Sequence, residues 1–305
     1  MTPFTGEIFA FATVLCWTMG SQFFEAAGKR AGSAAVNMVR LVLAALFFCA
    51  TLLVSRGQVL PMDFPAANWA WLGLSGFIGF TFGDMCLFRA FVEIGPRLSM
   101  LIMSLTAPVT ALIGWGFLGE VYEPLQWLGI AVTISGVAMV ILERSRPGAE
   151  VNGRRVKTVT IFGVLMAVLG MLGQAVGYIF SKVGMFHAGE MLDPVAATYI
   201  RVIAGTAGVI VIFTLLGWWP KLRPFLRDAK ALAHTTGGAF FGPYLGVAFS
   251  LAALHHTSAG VASTIMALTP ITLIPFAVFL HREHVSLRAL TGTVIAFLGV
   301  ALLIR

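Results

Sequence analysis

The sequence predicts an all-α membrane protein with ten transmembrane helices, arranged as two inverted repeats of five helices each. The chain has 305 residues, of which 58% are hydrophobic and only 11% are charged. A soluble domain has roughly 25% charged residues, so a surface of this composition is not suited to water. Ten apolar runs approach the roughly 20 residues that cross a bilayer. In addition, residues 101–107 recur as residues 264–270, which indicates that the chain consists of two related halves.

The ten apolar runs follow one another with short breaks between them. The first repeat, residues 7–143, has runs at 7–27, 34–55, 67–92, 96–118 and 125–143, and the second, residues 158–304, has runs at 158–181, 195–217, 232–254, 258–280 and 287–304. Several breaks contain proline, which interrupts helices, as at Pro96, Pro124 and Pro194. Residues 144–157 are the longest polar stretch and are predicted to be the linker.

The two halves correspond at a constant offset of 163 residues. The matching residues are Phe77, Gly79, Gly83, Glu120, Gly129 and Gly136 with Phe240, Gly242, Gly246, Glu283, Gly292 and Gly299. Because each half has an odd number of helices, the two halves must insert with opposite topology. Inverted repeats of this kind are typical of secondary carriers.

The distribution of Lys and Arg predicts the orientation. Of the 20 Lys and Arg residues, 15 lie in or beside loops on one face, and only Arg56, Lys182 and Arg305 lie on the other. Cytoplasmic loops carry the excess of positive charge. The linker is therefore predicted in the cytoplasm and both termini outside, in the cell inner membrane. These loops account for the net charge of +7, which does not indicate nucleic-acid binding.

The repeated residues resemble a known family. The sequence Leu-Thr-Ala-Pro108, followed by an acidic residue and two glycines, resembles the EamA repeat of the drug/metabolite transporter superfamily, and Trp17 with Gly20 is similar to the opening of that repeat. The resemblance covers nearly the whole chain. It rests on Pro108, Glu120, Gly129 and Gly136 in the first half and on Leu268, Pro270, Glu283, Gly292 and Gly299 in the second.

This resemblance implies a secondary transporter that exports amino acids or similar small metabolites by alternating access. Relatives carry sugars, nucleotide sugars, phosphates or cationic drugs, so a drug, cation or sugar carrier is the alternative. The resemblance further implies a central cavity lined by helices 1, 3, 4, 6, 8 and 9, with helices 5 and 10 peripheral. Relatives are often described with both termini in the cytoplasm, whereas the charge distribution of this chain places them outside.

Prolines within the fourth and ninth helices predict part of the pathway. Pro108 and Pro270 fall near the middle of these runs, where each frees a backbone carbonyl. Broken helices near the midplane tend to mark the binding site of a carrier, although a static kink is an equal alternative. The hydroxyls of Thr106 and Thr269 beside them either bond to helix carbonyls or face the cavity.

Asp84 is the most unusual residue of the third helix. Its counterpart at the 163-residue offset is Val247, so the repeated scaffold does not require a carboxylate there. A charge at the centre of a transmembrane helix costs at least about 2.5 kcal/mol. We expect Asp84 to bind substrate or protons in the cavity, or else to pair with Arg40, Arg89 or another cation.

Other residues inside the runs are candidates for the lining of a substrate cavity. Trp17, Tyr178 and Tyr244 combine an apolar ring with a polar atom, and Met103 and Met266 recur in both halves. Flexible methionines suit an adaptable pocket. The alternative for each is ordinary packing in the bundle or against lipid.

The repeated Glu and Gly residues, and two arginines, indicate structural roles. Glu120 and Glu283 are expected to cap helix N-termini, and the small-xxx-small glycines are expected to bring helices together, or else to form a thin wall beside the pathway. Arg40 and Arg201 lie one to two turns from their helix starts. They are expected to reach the membrane interface or to stabilise the fold.

No enzyme signature is present, and no catalytic residue, metal site or cofactor is predicted. The chain has no Walker loop, and His255-His256 has no further ligand at metal spacing. A membrane-embedded transferase is the alternative of another class, and a channel is a third. The predicted partners are a small-molecule substrate and the lipid bilayer, with the protein acting as a monomer.

Overall fold

The computed structural model describes residues 4–94, 99, 102–143, 160–187, 190–269, 271–272 and 287–303. Apart from loops and one two-stranded antiparallel hairpin, these residues are helical, which confirms the predicted fold class for this part of the chain. Five stretches in it are long and apolar enough to cross a membrane: Ala34–Arg56, Ala66–Ala90, Ile161–Met185, Pro194–Leu215 and Ala229–His256. The count of ten spans and the repeat boundaries stay predictions, and the linker lies outside the described residues.

In the described residues of the first half, the helices whose bounds are defined are interrupted by one π-helical segment. They are α1 (Thr5–Ala31), α2 (Ser33–Arg56), α3 (Ala66–Gly76), the first π segment (Phe77–Gly83), α4 (Asp84–Glu93), α5 (Thr106–Leu118) and α6 (Pro124–Glu143). Because α3, the π segment and α4 follow one another without a break, they form one continuous helix.

The second half repeats this order, with extra short elements in its loops. They are α7 (Ile161–Met185), β1 (Phe186–His187), β2 (Glu190–Met191), α8 (Pro194–Leu215), a 3₁₀ turn (Trp219–Lys221), α9 (Leu222–Arg227), α10 (Ala229–Ala239), the second π segment (Phe240–Gly246), α11 (Val247–His256), α12 (Ala259–Met266) and α13 (Leu287–Leu303). The predicted break at Pro194 is confirmed, since Asp193 caps α8 by accepting hydrogen bonds from the N–H groups of Val195 and Ala196.

The two π segments lie at equivalent positions of the repeats, since each begins at the same phenylalanine and ends at the same glycine of the 163-residue correspondence. A π turn inserts one extra residue into an α-helix and shifts the faces of the helix beyond it. Pro243, which has no N–H, lies in the second segment, but the first has no proline. The widened turn is therefore a property of the repeat rather than of one proline.

The helical stretches that precede Pro108 and residue 270 are interrupted at equivalent positions. Leu105 donates its N–H to the carbonyl of Ile102 at 3.1 Å, and Leu268 donates to Ile265 at 3.0 Å. These are tight three-residue turns in place of an α-helical turn. Both lie just before the threonines singled out in the sequence, so the α-helical hydrogen bonding is interrupted at the same place in each half.

Helices α6 and α13 are related by a two-fold axis. A Cβ built on Gly136 would meet Ala296 and the carbonyl of Gly292, whereas one on Gly299 would meet Thr133 and the carbonyl of Gly129. The contact of Gly136 with Ala296 therefore corresponds to that of Gly299 with Thr133, because each residue is replaced by its counterpart 163 positions away. The paired residues run in opposite directions, so the two helices are antiparallel, as inverted repeats require.

The halves interlock through their first and third helices. Helix α1 packs against α10, the second π segment and α11, and α7 packs against α3, the first π segment and α4. Close approach depends on glycine in both places, with Gly20 against Gly242 and Gly177 against Gly79. A Cβ built on Gly173 would lie 3.0 Å from the Cα of Gly83. The structure thus uses these glycines for packing, as expected for small-xxx-small patterns.

Contacts between loops define two opposite faces of the bundle. On one face, which we call the N-terminal face, the β-carbon position of Gly6 lies 2.8 Å from Cβ of Thr257. On the opposite face, Arg30 pairs with Asp228 at 2.9 Å and so connects the two halves. Arg56 pairs with Asp193 at 2.7 Å, at the ends of α2 and α8 that belong to the N-terminal face.

Candidate functional site

A buried ion pair joins α2 to α4. Nη2 of Arg40 donates to the carboxylate of Asp84, and the two residues are only 8% and 7% exposed. Nε of Arg40 also donates to Oδ1 of Asn37 at 2.8 Å, and Nε2 of Gln174, on α7, donates to Oδ1 of Asp84 at 3.0 Å. The carboxylate therefore lies between the two halves. Of the alternatives for Asp84, pairing with Arg40 is the one that the structure shows, and a direct role toward substrate or protons stays a prediction.

Aromatic rings complete the surroundings of Arg40. Its guanidinium carbon lies 5.3 Å from the ring centroid of Phe24 and 5.2 Å from that of Phe88. Such contacts stabilise a desolvated cation. The expectation that Arg40 reaches the membrane interface is therefore wrong, because its charged group ends inside the bundle. Arg89, the other partner considered for Asp84, instead pairs with Glu93 at 2.8 Å.

Arg201 is the second buried arginine, and it is less well compensated. Its side chain is 1% exposed, so the interface expectation is wrong here as well. Nε and Nη1 have no hydrogen-bond partner within the described part of the chain. The guanidinium carbon lies 5.0 Å from the centroid of Phe80. Nη2 lies 3.4 Å from the β-carbon position of Gly79 and 3.7 Å from that of Gly177, so the missing side chains leave room for it.

The aromatic candidates lie in different surroundings. Tyr178 is 5% exposed and lies within electrostatic reach of Arg201 and Asp84. The indole of Trp17 occupies the space beside Gly246, where its Nε1 lies 2.6 Å from the β-carbon position of that glycine. Tyr244 instead shares a hydrogen bond of 2.7 Å with the hydroxyl of Thr51. Of these three aromatic residues, only Tyr178 therefore lies near Arg201 and Asp84. A role of Trp17, Tyr178 or Tyr244 in a transport pathway stays a prediction.

The residues at the interrupted helices differ between the halves. The hydroxyl of Thr269 donates to the carbonyl of Met266 at 2.7 Å. The hydroxyl of Thr106 is buried and has no partner among the described residues. Met103 and Pro108 are half-buried, and Met266 is 3% exposed. Pro270 lies outside the described residues.

An ion-pair network connects the two halves at the N-terminal face. Nζ of Lys182 donates to Glu120 at 2.6 Å and to the carbonyl of Thr257 at 2.9 Å. Glu120 also accepts the N–H of Ala259 and the hydroxyl of Tyr122. Glu120 therefore caps a helix, as expected, but the helix is α12 of the other half and not the one that follows it in sequence. Its counterpart Glu283 lies outside the described residues.

The electrostatics of this network favour the ionised carboxylate. Burial raises the pKa of Glu120, but the Lys182 ammonium and the donated hydrogen bonds outweigh it and hold that pKa below its ordinary value. Burial and the same carboxylate raise the pKa of the Tyr122 hydroxyl well above its usual range. Tyr122 therefore acts as a fixed hydrogen-bond donor. A cavity of about 430 Å³ lies here, lined by Glu120, Val121, Lys182, His255, His256, Thr257 and Ser258.

Several polar contacts were not anticipated from the sequence. Gln174 was missed, although it is the only amide in the apolar run of α7, and that isolation was the available signal. The contacts of Lys182 and Tyr122 bring together segments remote in sequence, which no local pattern indicates. Among the described residues, no group of three or more His, Cys, Asp or Glu side chains could hold a metal ion.

Comparison with known families decides the family of the chain. The profile of the EamA-like transporter family matches residues 4–142 and 161–305. The chain belongs to the EamA-like transporter family. The two matches show two EamA repeats, as predicted, and the family identifies this multi-pass membrane protein as a transporter of the drug/metabolite superfamily.

One solved structure shows the same fold over the full length of this EamA protein. It is titled only as the crystal structure of a protein, is 15% identical, covers 99% of this chain and 98% of its own, and has a TM-score of 0.75. At this identity the similarity shows the fold alone. No curated protein matches the chain significantly.

Proposed function

We propose that this EamA-like transporter exports amino acids or similar small metabolites across the cell inner membrane by alternating access. The observation that carries the proposal is the pair of helix interruptions at Leu105 and Leu268, which recur at the same place in two inverted halves. In inverted-repeat carriers, discontinuous helices near the midplane form the substrate site. Interruptions at equivalent positions would also allow each half to open toward its own side of the membrane.

The packing of the helices supports a pathway between the halves. Helices α1 and α7 each pack on the interrupted and π-helical segments of the opposite half, whereas α6 and α13 pack chiefly on each other. Exposed apolar residues of this pair, such as Leu128 and Phe297, suit contact with lipid. Counted as the ten spans predicted from the sequence, we therefore assign spans 1, 3, 4, 6, 8 and 9 to the cavity. Spans 5 and 10, which correspond to α6 and α13, are assigned to the periphery.

Counterflow in liposomes tests the proposal. Purified protein is reconstituted, and uptake of a panel of amino acids, sugars and cationic drugs is measured with and without an imposed pH gradient. Saturable uptake of amino acids supports it. Saturable uptake of only sugars or cationic drugs favours those alternative carriers, and uptake that does not saturate favours a channel. Formation of product from a lipid donor favours a transferase.

A substitution at the interruption tests the pathway itself. Thr106→Trp is expected to abolish flux while expression stays intact, because Thr106 follows directly on the interrupted turn at Leu105, which we assign to the pathway. Gly116→Trp on the same helix is the matched control, since no atom lies within 4 Å of its β-carbon position. Equal flux in both variants would move the pathway away from α5.

A further inference from the structure

Among the side chains that the structure describes, the buried charges inside the bundle do not balance. The buried charged side chains that the structure describes are Arg40, Asp84 and Arg201, two cations and one anion. Asp84 is already engaged by Arg40 and Gln174. The positive charge of Arg201 is therefore in excess among these described groups. An ion removed from water without a partner is strongly unfavourable, so such a site favours a counter-ion.

The guanidinium group of Arg201 keeps hydrogen-bonding capacity unused. Nε and Nη1, which have no partner in the described chain, carry three of the five N–H donors of an arginine. Nη2, the remaining nitrogen, packs against Gly79 and Gly177, whose β-carbon positions lie 3.4 Å and 3.7 Å from it. Phe80 supports the guanidinium by a cation–π contact, and Tyr178 lies within its electrostatic reach.

We propose that Arg201 binds the carboxylate group of the transported molecule. A carboxylate supplies the missing negative charge, and its two oxygens accept the N–H groups of a guanidinium in a planar, charge-assisted arrangement. A cationic drug would add positive charge to a site that already has an excess. A neutral sugar offers hydroxyl groups but no charge to balance the arginine.

This inference rests on the proposed function and makes its substrate class narrower. The group recognised is the acid and not the amine, because Asp84 is already paired with Arg40 and is not the free charge. Amino acids satisfy this requirement, and so do 2-hydroxy acids and N-acylated amino acids of the same side chain.

A binding test that needs no identified substrate uses butyrate and its neutral isostere butyramide. Melting of the purified protein is followed in detergent at pH 7.5 with increasing concentrations of each. Butyrate is expected to raise the Tm by about 2–4 °C at about five times its Kd, as a ligand of the folded state does, and butyramide is expected to leave it unchanged. Equal shifts with both compounds, or none with butyrate, would overturn the carboxylate site.

The variant Arg201→Met separates binding from a structural role. Methionine has a similar length without the charge, so the variant is expected to melt at or above the wild-type temperature and to lose the butyrate shift. Arg30→Met, at the exposed pair with Asp228, is the control and is expected to keep the shift. A fall in the Tm of Arg201→Met larger than that of the control would show that Arg201 stabilises the fold, and would overturn the proposal.

Competition in the transport assay distinguishes failure of this inference from failure of the proposed function. Each transported amino acid is tested against its N-acetyl derivative and its methyl ester. Competition by the N-acetyl acid with at least a tenfold loss for the ester supports recognition of the carboxylate. Competition by the ester as strong as by the acid overturns the inference while amino-acid transport stands. Saturable uptake of only sugars or cationic drugs would reject both.

Discussion

The variant Asp84→Asn tests the ion pair inside the bundle most directly. It keeps the size of the side chain and removes only the charge, so Arg40 becomes a buried cation without a counter-ion. Breaking a buried pair in this way costs about 3–5 kcal/mol. The two aromatic rings beside Arg40 and the remaining amide oxygen at position 84 offset part of this, so we expect the lower end, about 3 kcal/mol.

The assay is thermal melting in detergent at a fixed scan rate. A loss of about 3 kcal/mol corresponds to a fall in the Tm of at least about 6 °C. Asp228→Asn is the matched control, because it makes the same chemical change in the half-exposed pair with Arg30, and asparagine still caps a helix as well as aspartate does. The control is expected to melt close to the wild-type temperature.

Neutralising both partners completes the test. The double variant Arg40→Met, Asp84→Asn is expected to recover most of the lost stability, since no buried charge of the pair remains. The reasoning would be refuted if Asp84→Asn melted as the wild type does, or if the double variant melted below both single variants. Normal flux with an unchanged pH profile in a stable Asp84→Asn protein would end the interpretation of Asp84 as a substrate or proton site.

Three further predictions concern other parts of the molecule. The pKa of Glu120 is lowered in the folded state, so the stability that its ionised carboxylate contributes is complete above the ordinary pKa and is lost as the pH falls through the folded-state pKa. The Tm of the wild type should therefore fall on acidification more steeply than the Tm of Glu120→Gln. Gly173→Leu should prevent accumulation of folded protein because its β-carbon meets the backbone of the neighbouring helix, whereas Gly116→Leu should accumulate normally, as fluorescence-detected size-exclusion chromatography would show. In intact cells, an impermeant thiol reagent should label Gly57→Cys and not Gly148→Cys, measured against a background lacking the natural cysteines, and the reverse pattern would invert the assigned orientation.

The sequence predicted the parts of the fold that depend on repetition and hydrophobic length. The offset of 163 residues recurs in the π segments, in the turns at Leu105 and Leu268 and in the α6–α13 contacts. The π geometry itself was not predicted, because the same apolar residues suit an α-helix, and proline is present in only one of the two segments. The repeat therefore matched the two segments to each other without indicating that their hydrogen bonds depart from those of an α-helix.

The candidate site was predicted only in part. Asp84 attracted notice because a carboxylate is costly in an apolar helix, and its partner Arg40 was one of the alternatives considered. Arg201 was misjudged, since a position two turns from the helix start suggests that the side chain reaches the interface. The direction in which a helix face points is decided by packing with other helices, here by Gly79 of the first π segment and Gly177 of α7. The sequence of one helix alone does not indicate it.

The reciprocal contacts of α6 and α13 have a consequence for how such a chain can arise. Gly136 contacts Ala296, and their repeat counterparts Gly299 and Thr133 contact each other. An interface with this reciprocity is called isologous and is the type that identical subunits form in a symmetric dimer. Two separate copies of one ancestral repeat, inserted in opposite directions, could bury this surface against each other before any linker joined them. After fusion, each half is free to diverge, and Asp84, opposite Val247, is one place where the two halves have done so.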